Sequence, residues 1–164
     1  MIKLLILDVD GCMTDGSLIY DEHGNESKVF NVKDGLGIST WLKIGGEVAI
    51  ITGRESKIVQ RRARELGVIH IYQGVKNKKE VLENMLNVLG ITTDEVAVIG
   101  DDLNDLGMIK LVNRSFTPAD GMDIVKKEVD TILSKKGGQG AIREMIDIIV
   151  KENSMEEEFL NIWL

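Results

Sequence analysis

The sequence predicts an α/β fold in which helices cover both faces of a parallel β-sheet. Apolar, β-branched runs alternate with segments whose apolar residues recur every three or four positions, which is the pattern of strands alternating with amphipathic helices. The chain has 164 residues, the length of one domain. No apolar run approaches the roughly 18 residues of a membrane span. We therefore expect a single domain over residues 1–164.

The expected elements follow one another in regular order. The first strand is expected at residues 2–7, where the apolar run is nearly unbroken, as in a parallel strand buried on both faces. Later apolar runs predict strands at 48–51, 68–72 and 96–99, with weaker ones at 115–116 and 131–133. Helical spacing predicts helices at 37–44, 56–66, 77–89 and 102–110. Ligands of such sheets bind beyond the carboxyl ends of the strands, so the residues there are the first candidates for a site.

One segment after the first strand breaks the alternation. Residues 18–20 and 29–32 are rich in apolar and β-branched side chains and flank a polar turn, which predicts a β-hairpin. This flap, at about residues 17–32, is expected to project over the strand ends. No connection elsewhere is long enough to hold a second domain.

The C-terminal tail, at about residues 153–164, is the other unusual segment. It combines Ser154 and Glu157, three positions apart, with an apolar end. The spacing is that of a helix capping box. We expect a short amphipathic helix or tail that packs on its own domain, or by hypothesis on a neighbouring chain.

Charge and cysteine content narrow the possible functions. The net charge of −7 argues against a general nucleic-acid binder, which needs a basic stripe, so an anionic substrate must be held by local positive groups or by a metal. Cys12 is the only cysteine, which excludes an internal disulfide and favours a reducing compartment. The N-terminus shows no export signal. We expect a cytoplasmic protein with no nucleic-acid or membrane partner.

Aspartates gather where two of the strands end. Asp8 and Asp10 follow the first strand, and Asp101 and Asp102 follow the strand at 96–99. Asp102 with Asp105 also has the spacing of a helix cap. Carboxylates this close repel unless they are protonated or bridged by a cation, and all-oxygen ligation suits Mg²⁺. The pattern predicts a magnesium site.

A hydroxyl and a lysine follow two other strands. Thr52 and Gly53 follow the second strand and, taken alone, indicate only a tight strand-to-helix turn. Lys78 and Lys79 fall in the first turn of a helix, where each positive charge opposes the helix dipole by about 0.3–1 kcal/mol. An anion bound there would compensate. A carboxylate nucleophile, a hydroxyl, a lysine and Mg²⁺ are the parts that phosphoryl transfer needs.

These residues resemble the haloacid dehalogenase (HAD) superfamily of phosphatases. Its four motifs occur here in order: DVDG at 8–11 with TDG at 14–16, Thr52, Lys78 and GDDLND at 100–105. The resemblance implies a Rossmann-like sheet, the HAD fold, and hydrolysis of a phosphate monoester. It implies that Asp8 is the nucleophile and that Asp10 is the general acid and base.

The same resemblance assigns the remaining roles. Thr52 and Lys78 would bind the phosphoryl group. Mg²⁺ would be held by Asp8, the backbone carbonyl of Asp10 and Asp101. Asp102 and Asp105 would be supporting acids.

A closer resemblance is to the capless branch that includes the 3-deoxy-D-manno-octulosonate 8-phosphate phosphatases of lipopolysaccharide biosynthesis and the phosphatases of nine-carbon sugar acids. The matching segments lie at 21–35, 51–54, 72–74 and 137–144. This resemblance implies no cap domain, a small phosphorylated sugar acid as substrate and a homotetramer in which a neighbouring subunit closes each active site.

Substrate contacts are also implied by this branch, at Gly11, Gly53, Arg54 and Arg62. Arginine at position 54 resembles the octulosonate enzymes, whereas glutamate there resembles the nine-carbon ones. Arg62 would reach the carboxylate of a substrate in an adjacent subunit; as part of a solvated helix face beside Arg61 and Arg64, it would have no such role.

Three alternatives stay open. A phosphatase of a nine-carbon sialic-type 9-phosphate would use the same chemistry. A receiver-like phospho-switch would share the sheet, the aspartates, the lysine and Mg²⁺, but its motifs run in a different order. A non-catalytic oligomeric partner would not need catalytic residues, whereas this sequence contains the complete set.

Overall fold

A six-stranded sheet runs through the computed structural model, which describes residues 1–164. The chain forms eight strands: β1 (Leu4–Leu7), β2 (Ile19–Tyr20), β3 (Glu26–Ser27), β4 (Glu47–Ile51), β5 (His70–Tyr72), β6 (Val96–Ile99), β7 (Arg114–Thr117) and β8 (Thr131–Ile132). Strands of the large sheet lie in the order β5-β4-β1-β6-β7-β8, and every neighbouring pair is parallel. The remaining two, β2 and β3, form a separate antiparallel pair.

Strand β1 lies at the centre of the sheet, between β4 and β6. Leu4 pairs with Glu47 on one side and Val96 on the other, and Leu7 pairs with Ile50 and Ile99. All four residues of β1 are completely buried, as its unbroken apolar run predicts. The residues that follow β1, β4 and β6 therefore emerge side by side at one edge.

Seven α-helices connect or follow the strands. They are α1 (Val32–Lys43), α2 (Lys57–Leu66), α3 (Lys78–Leu89), α4 (Leu106–Ile109), α5 (Asp123–Lys126), α6 (Ala141–Glu152) and α7 (Glu156–Asn161). Side chains cap three of them: Asn31 at α1, Ser56 at α2 and Asn77 at α3. Because Asn31 accepts the N–H groups of Lys33 and Asp34, α1 begins at Val32 rather than at residue 37.

Two apolar cores fill the space between the sheet and its helices. One joins alternate residues of β1, β4 and β6 to α1 and α6, and the other joins the remaining strand residues to α3 and α4. Both faces of the sheet are thus covered, which confirms the predicted α/β fold. Helix α6 was not predicted from the sequence, although its buried residues Ile142, Met145, Ile146 and Ile149 have helical spacing.

The hairpin forms, but its second strand is earlier than predicted. Asp21 accepts the backbone N–H groups of His23 and Asn25 at 2.9 Å each, which closes the turn quickly and pairs Tyr20 with Glu26. The strand expected at 29–32 was therefore wrong, since that stretch contains the cap and the first residue of α1.

The C-terminal tail packs on its own domain. Phe159 contacts the core on the α6 side, and the indole N–H of Trp163 donates to the hydroxyl of Thr40 at 3.0 Å. The predicted capping box was wrong: Ser154 has a left-handed φ of 57°, and Met155 occupies the cap position of α7. None of the helices is both long and apolar enough to cross a membrane.

Candidate active site

Polar residues from three neighbouring strand ends line one cavity of about 200 Å³. The lining residues are Asp8, Asp10, Thr52, Gly53, Arg54, Asp101, Asp102 and Asn104. They follow β1, β4 and β6, so parallel pairing delivers them to the same edge. The structure thus brings together most of the residues singled out in the sequence.

A wide turn at Val9–Met13 carries the chain from β1 into the site. Gly11 in this turn has a φ of 99°, and a side chain there would collide with the carboxylate of Asp101. Glycine is therefore needed both for the backbone conformation and for the close approach. The hydroxyl of Thr14 accepts the N–H groups of Gly11 and Gly16, which holds the turn in shape.

A loop that contains Gly137 and Gly138 packs against this turn. The N–H of Gly138 donates to the carbonyl of Cys12 at 3.0 Å, and a side chain on Gly137 would collide with the carbonyl of Gly11. This loop leads into α6, whose first turn is held by Asp34 of α1: the Asp34 carboxylate accepts the N–H of Arg143 at 2.9 Å. Burial raises the pKa of Asp34 to about 6, although the hydrogen bond from Arg143 opposes this rise.

Lys78 joins two of the aspartates in the interior. Its Nζ atom lies 2.6 Å from Oδ1 of Asp8 and 2.6 Å from Oδ1 of Asp105. The second oxygen of Asp105 accepts the backbone N–H groups of Asp101 and Asp102 at 2.9 and 3.3 Å. The positive charge at the start of α3 is thus compensated by two carboxylates of the protein itself, and Asp105 links Lys78 to the loop after β6.

Burial and mutual repulsion raise the pKa values of two carboxyl groups in the site, Asp8 and Asp101. Burial, and after it the charge of Asp105, raise the pKa of Asp8 well above its usual value, although Lys78 opposes this. Burial and the charges of Asp105 and Asp102 raise the pKa of Asp101 to about 6. For Lys78, burial alone would lower the pKa, but Asp8 and Asp105 raise it, so the ammonium stays charged. The single positive charge of Lys78 does not neutralise the carboxylates of Asp8, Asp101 and Asp105.

A divalent cation fits this arrangement. Donor atoms of Asp8, Cys12 and Asp101 lie within 4.8 Å of one another. Burial raises the pKa of the Cys12 thiol, so it remains protonated and is a poor ligand. The two carboxylates remain as donors, and oxygen donors with several waters are the environment that Mg²⁺ prefers. The backbone carbonyl of Asp10 stays a prediction as the third protein ligand.

Arg54 contacts the hairpin. Its guanidinium donates to the Tyr20 hydroxyl at 2.8 Å and to the Glu26 carboxylate at 3.1 Å. These bonds connect the loop after β4 to both hairpin strands. Arg54 lines the cavity while its side chain remains 41% exposed.

Lys28 is a residue near the cavity that was not predicted from the sequence. Its side chain is only 1% exposed and its Nζ atom lies 2.5 Å from Oδ1 of Asp10 and 3.2 Å from Oε1 of Glu26. No motif marks it. The available signal was a lysine within a flap expected to cover an acidic edge.

Arg62 lies away from the cavity of its own chain. Its guanidinium packs over the ring of Phe30 at 5.8 Å and lies 3.6 Å from Glu65. The contact with a substrate in an adjacent subunit stays a prediction.

Comparisons with known proteins identify the family of the chain. A family model described as haloacid dehalogenase-like hydrolase matches residues 51–146. The 3-deoxy-D-manno-octulosonate 8-phosphate phosphatase of Salmonella typhi is 42% identical over 149 residues, covering 91% of this chain and 79% of that protein. The crystal structure of a phosphatase of the same name from Yersinia pestis superposes with a TM-score of 0.93 at 40% identity, covering 95% of this chain and 84% of that one.

A third relative was solved with ligands. The phosphatase of the same name from Moraxella catarrhalis, in complex with magnesium, phosphate and the sugar acid KDO, has a TM-score of 0.92 and 41% identity, covering 95% of this chain and 90% of that one.

Proposed function

The chain belongs to the haloacid dehalogenase-like hydrolases, and we propose that it is a Mg²⁺-dependent phosphatase that converts 3-deoxy-D-manno-octulosonate 8-phosphate into 3-deoxy-D-manno-octulosonate and phosphate. The observation that carries this proposal is the pairing of a buried carboxylate, Asp8, with the ammonium of Lys78 at a strand end that also presents Asp10 and Asp101. Relatives at about 40% identity that carry the name of this phosphatase support the substrate.

The first step transfers the phosphoryl group to the protein. An oxygen of Asp8 attacks phosphorus and forms an aspartyl phosphate, while the bond from phosphorus to the sugar oxygen breaks. Asp10 donates its proton to that departing oxygen. Both residues follow β1 and line the same cavity, so the nucleophile and the acid can reach one phosphorus atom.

The second step releases phosphate and restores the enzyme. Asp10, now a carboxylate, takes a proton from water, whose oxygen attacks phosphorus. The bond between phosphorus and Asp8 then breaks, and inorganic phosphate leaves. The proton that Asp10 gave to the sugar is thereby regained from water.

The surrounding residues neutralise the charge of the phosphoryl group and keep it in position. Lys78 and Thr52 bind the oxygens of the phosphoryl group, and Asp105 keeps Lys78 in place through its 2.6 Å contact. Asp8 and Asp101 would hold Mg²⁺, which would supply positive charge to neutralise the phosphoryl oxygens. Gly11 and Gly53 allow the backbone to approach the substrate closely.

Assembly would complete the substrate pocket. The cavity is open, and the flap carries exposed apolar side chains, among them Leu18, Tyr20 and Val29. We propose a homotetramer in which a neighbouring subunit covers the cavity and supplies Arg62 to the carboxylate of the substrate. The cytoplasm suits the single, unpaired Cys12 thiol.

The substrate is tested by phosphate release from three esters: the octulosonate 8-phosphate, a nine-carbon sialic-type 9-phosphate and an aryl phosphate, each with and without Mg²⁺. We expect the highest kcat/KM on the octulosonate ester and no turnover without metal. Preference for the nine-carbon ester would preserve the chemistry and overturn the substrate. A wild-type protein with no Mg²⁺-dependent turnover on any ester would favour the non-catalytic alternative.

A further inference from the structure

The side chain of Lys28 is buried between two carboxylates, although the residue directly follows the two-residue strand β3 of the flap. It is 1% exposed and contacts Asp10 at 2.5 Å and Glu26 at 3.2 Å. A buried ammonium is costly unless it is paired and hydrogen-bonded. Lys28 meets this condition, because its ammonium contacts a carboxylate oxygen of Asp10 and one of Glu26. The burial of Lys28 therefore depends on its pairing with these two carboxylates.

The carboxylates of Asp8 and Asp10 are held by different parts of the molecule. Asp8 is held from inside the domain by Lys78, at the start of α3. Asp10 accepts only one hydrogen bond from another side chain, that of Lys28. The orientation of the general acid thus depends on the flap, whereas that of the nucleophile does not.

The flap is also held by contacts with Arg54, in the loop after β4. Glu26, which contacts Lys28, also accepts from Arg54, and Arg54 donates in addition to the hydroxyl of Tyr20. A continuous series of polar contacts therefore runs from Asp10 through the flap to the loop after β4. A flap fastened at both ends can hold Lys28 at a fixed distance from Asp10.

We propose that Lys28 is a positioning residue for the acid–base function of Asp10. Its ammonium holds Oδ1 of Asp10 and leaves Oδ2 to give the proton to the departing sugar oxygen and, in the second step, to take a proton from water. Asp10 is therefore oriented as general acid only when the flap is in place. The proposal rests on the proposed phosphatase chemistry.

Leaving groups of different basicity test this role. An alkyl oxygen needs a proton as it departs, whereas a nitrophenolate departs without one. The kcat/KM value reports the steps up to departure of the leaving group. We expect Lys28→Met to lower kcat/KM by about 10²-fold on the octulosonate ester and only slightly on p-nitrophenyl phosphate. Lys33→Met, which removes an exposed lysine nearby, is the matched control and should leave both values unchanged.

Other outcomes would overturn the proposal. Equal losses on both esters would mean that Lys28 only stabilises the flap, and no loss on either would mean that Asp10 is oriented without it. Lys28→Arg keeps a charged donor and should recover part of the loss on the sugar ester; its failure to do so while folded, as judged by thermal unfolding, would also count against the proposal.

The wild-type protein separates this proposal from the proposed function. If it hydrolyses another alkyl phosphate, such as glycerol 3-phosphate, but not the octulosonate ester, then the substrate is wrong and the comparison with the aryl ester is made on that alkyl phosphate instead. If it has no turnover that depends on Asp8, then the proposed function has failed, and the proposal for Lys28 fails with it.

Discussion

The two sides of the cavity are built in contrasting ways. On the sheet side, Asp8, Lys78 and Asp105 are almost entirely buried and joined by contacts of 2.6 Å. On the flap side, β2 and β3 have two residues each, and Arg54 is 41% exposed. Contacts within a core resist rearrangement, whereas contacts on a short exposed hairpin adapt easily. We therefore expect the rigid side to hold the nucleophile and the buried lysine, and the flap side to orient Asp10 and to govern selection among sugars.

The largest expected effect is on the sheet side, at the nucleophile. Asp8→Asn should lower turnover by at least about 10³-fold on every ester, because the amide does not attack phosphorus. The protein should remain folded, since Lys78 retains its contact with Asp105. Steady-state kinetics with thermal unfolding checks both statements. Substantial turnover by a homogeneous Asp8→Asn preparation would contradict the assignment.

Next in size is the loss of the buried lysine. Lys78→Met should lower the free energy of unfolding by about 3–5 kcal/mol near neutral pH, because two buried carboxylates lose their partner. The loss should shrink in acid, because burial raises the pKa of Asp8 and that carboxyl then takes up a proton. Lys79→Met is the matched control: its ammonium is exposed and 3.7 Å from Glu83, so less than about 0.5 kcal/mol is expected. Urea unfolding at several pH values measures the difference.

Metal binding should depend on pH through Asp101. Without a cation, its folded-state pKa of about 6 exceeds its ordinary value of 3.8, so the stability that it contributes is lost as pH rises through that window. Mg²⁺ should therefore raise the melting temperature most above about pH 6. Below it, the cation competes with a proton, and its affinity should fall. A shift by Mg²⁺ that is independent of pH, or that survives in Asp101→Asn, would argue against this site.

The smallest effect on stability is expected on the flap side. Glu26→Gln weakens contacts with Lys28 and Arg54, but Arg54 is partly solvated, so that pair should contribute less than about 1 kcal/mol. Kinetic parameters should change more, with KM for the sugar ester rising while p-nitrophenyl phosphate is little affected. A change in melting temperature as large as that of Lys78→Met would erase the distinction between the two sides.

The same contrast explains what the sequence could reveal. The apolar run of β1 ends at Asp8 because the strand is buried on both faces, and parallel pairing then fixes where Asp8, Thr52 and Asp101 meet. These rules act between neighbours along the chain or across one sheet, so they are readable from the residues alone. Caps such as Asn77 also follow local rules.

Features on the flap could not be read in this way. The contact of Lys28 with Asp10 joins residues 18 positions apart in a segment without regular periodicity. Its geometry depends on the early turn that Asp21 closes, which also displaced the predicted second strand. The support of α6 by Asp34 spans 109 positions and leaves no local pattern. Such contacts are set by tertiary packing.

Trapping the covalent intermediate tests the central claim most directly. Asp10→Asn should still accept a phosphoryl group from p-nitrophenyl phosphate, which needs no acid for its leaving group, but should hydrolyse the aspartyl phosphate slowly because the general base is missing. Acid quenching, digestion and mass spectrometry should then find one phosphoryl group on the peptide that contains Asp8. A phosphoryl group on another residue, or turnover of the ester by this variant without any phosphorylated peptide, would contradict the account.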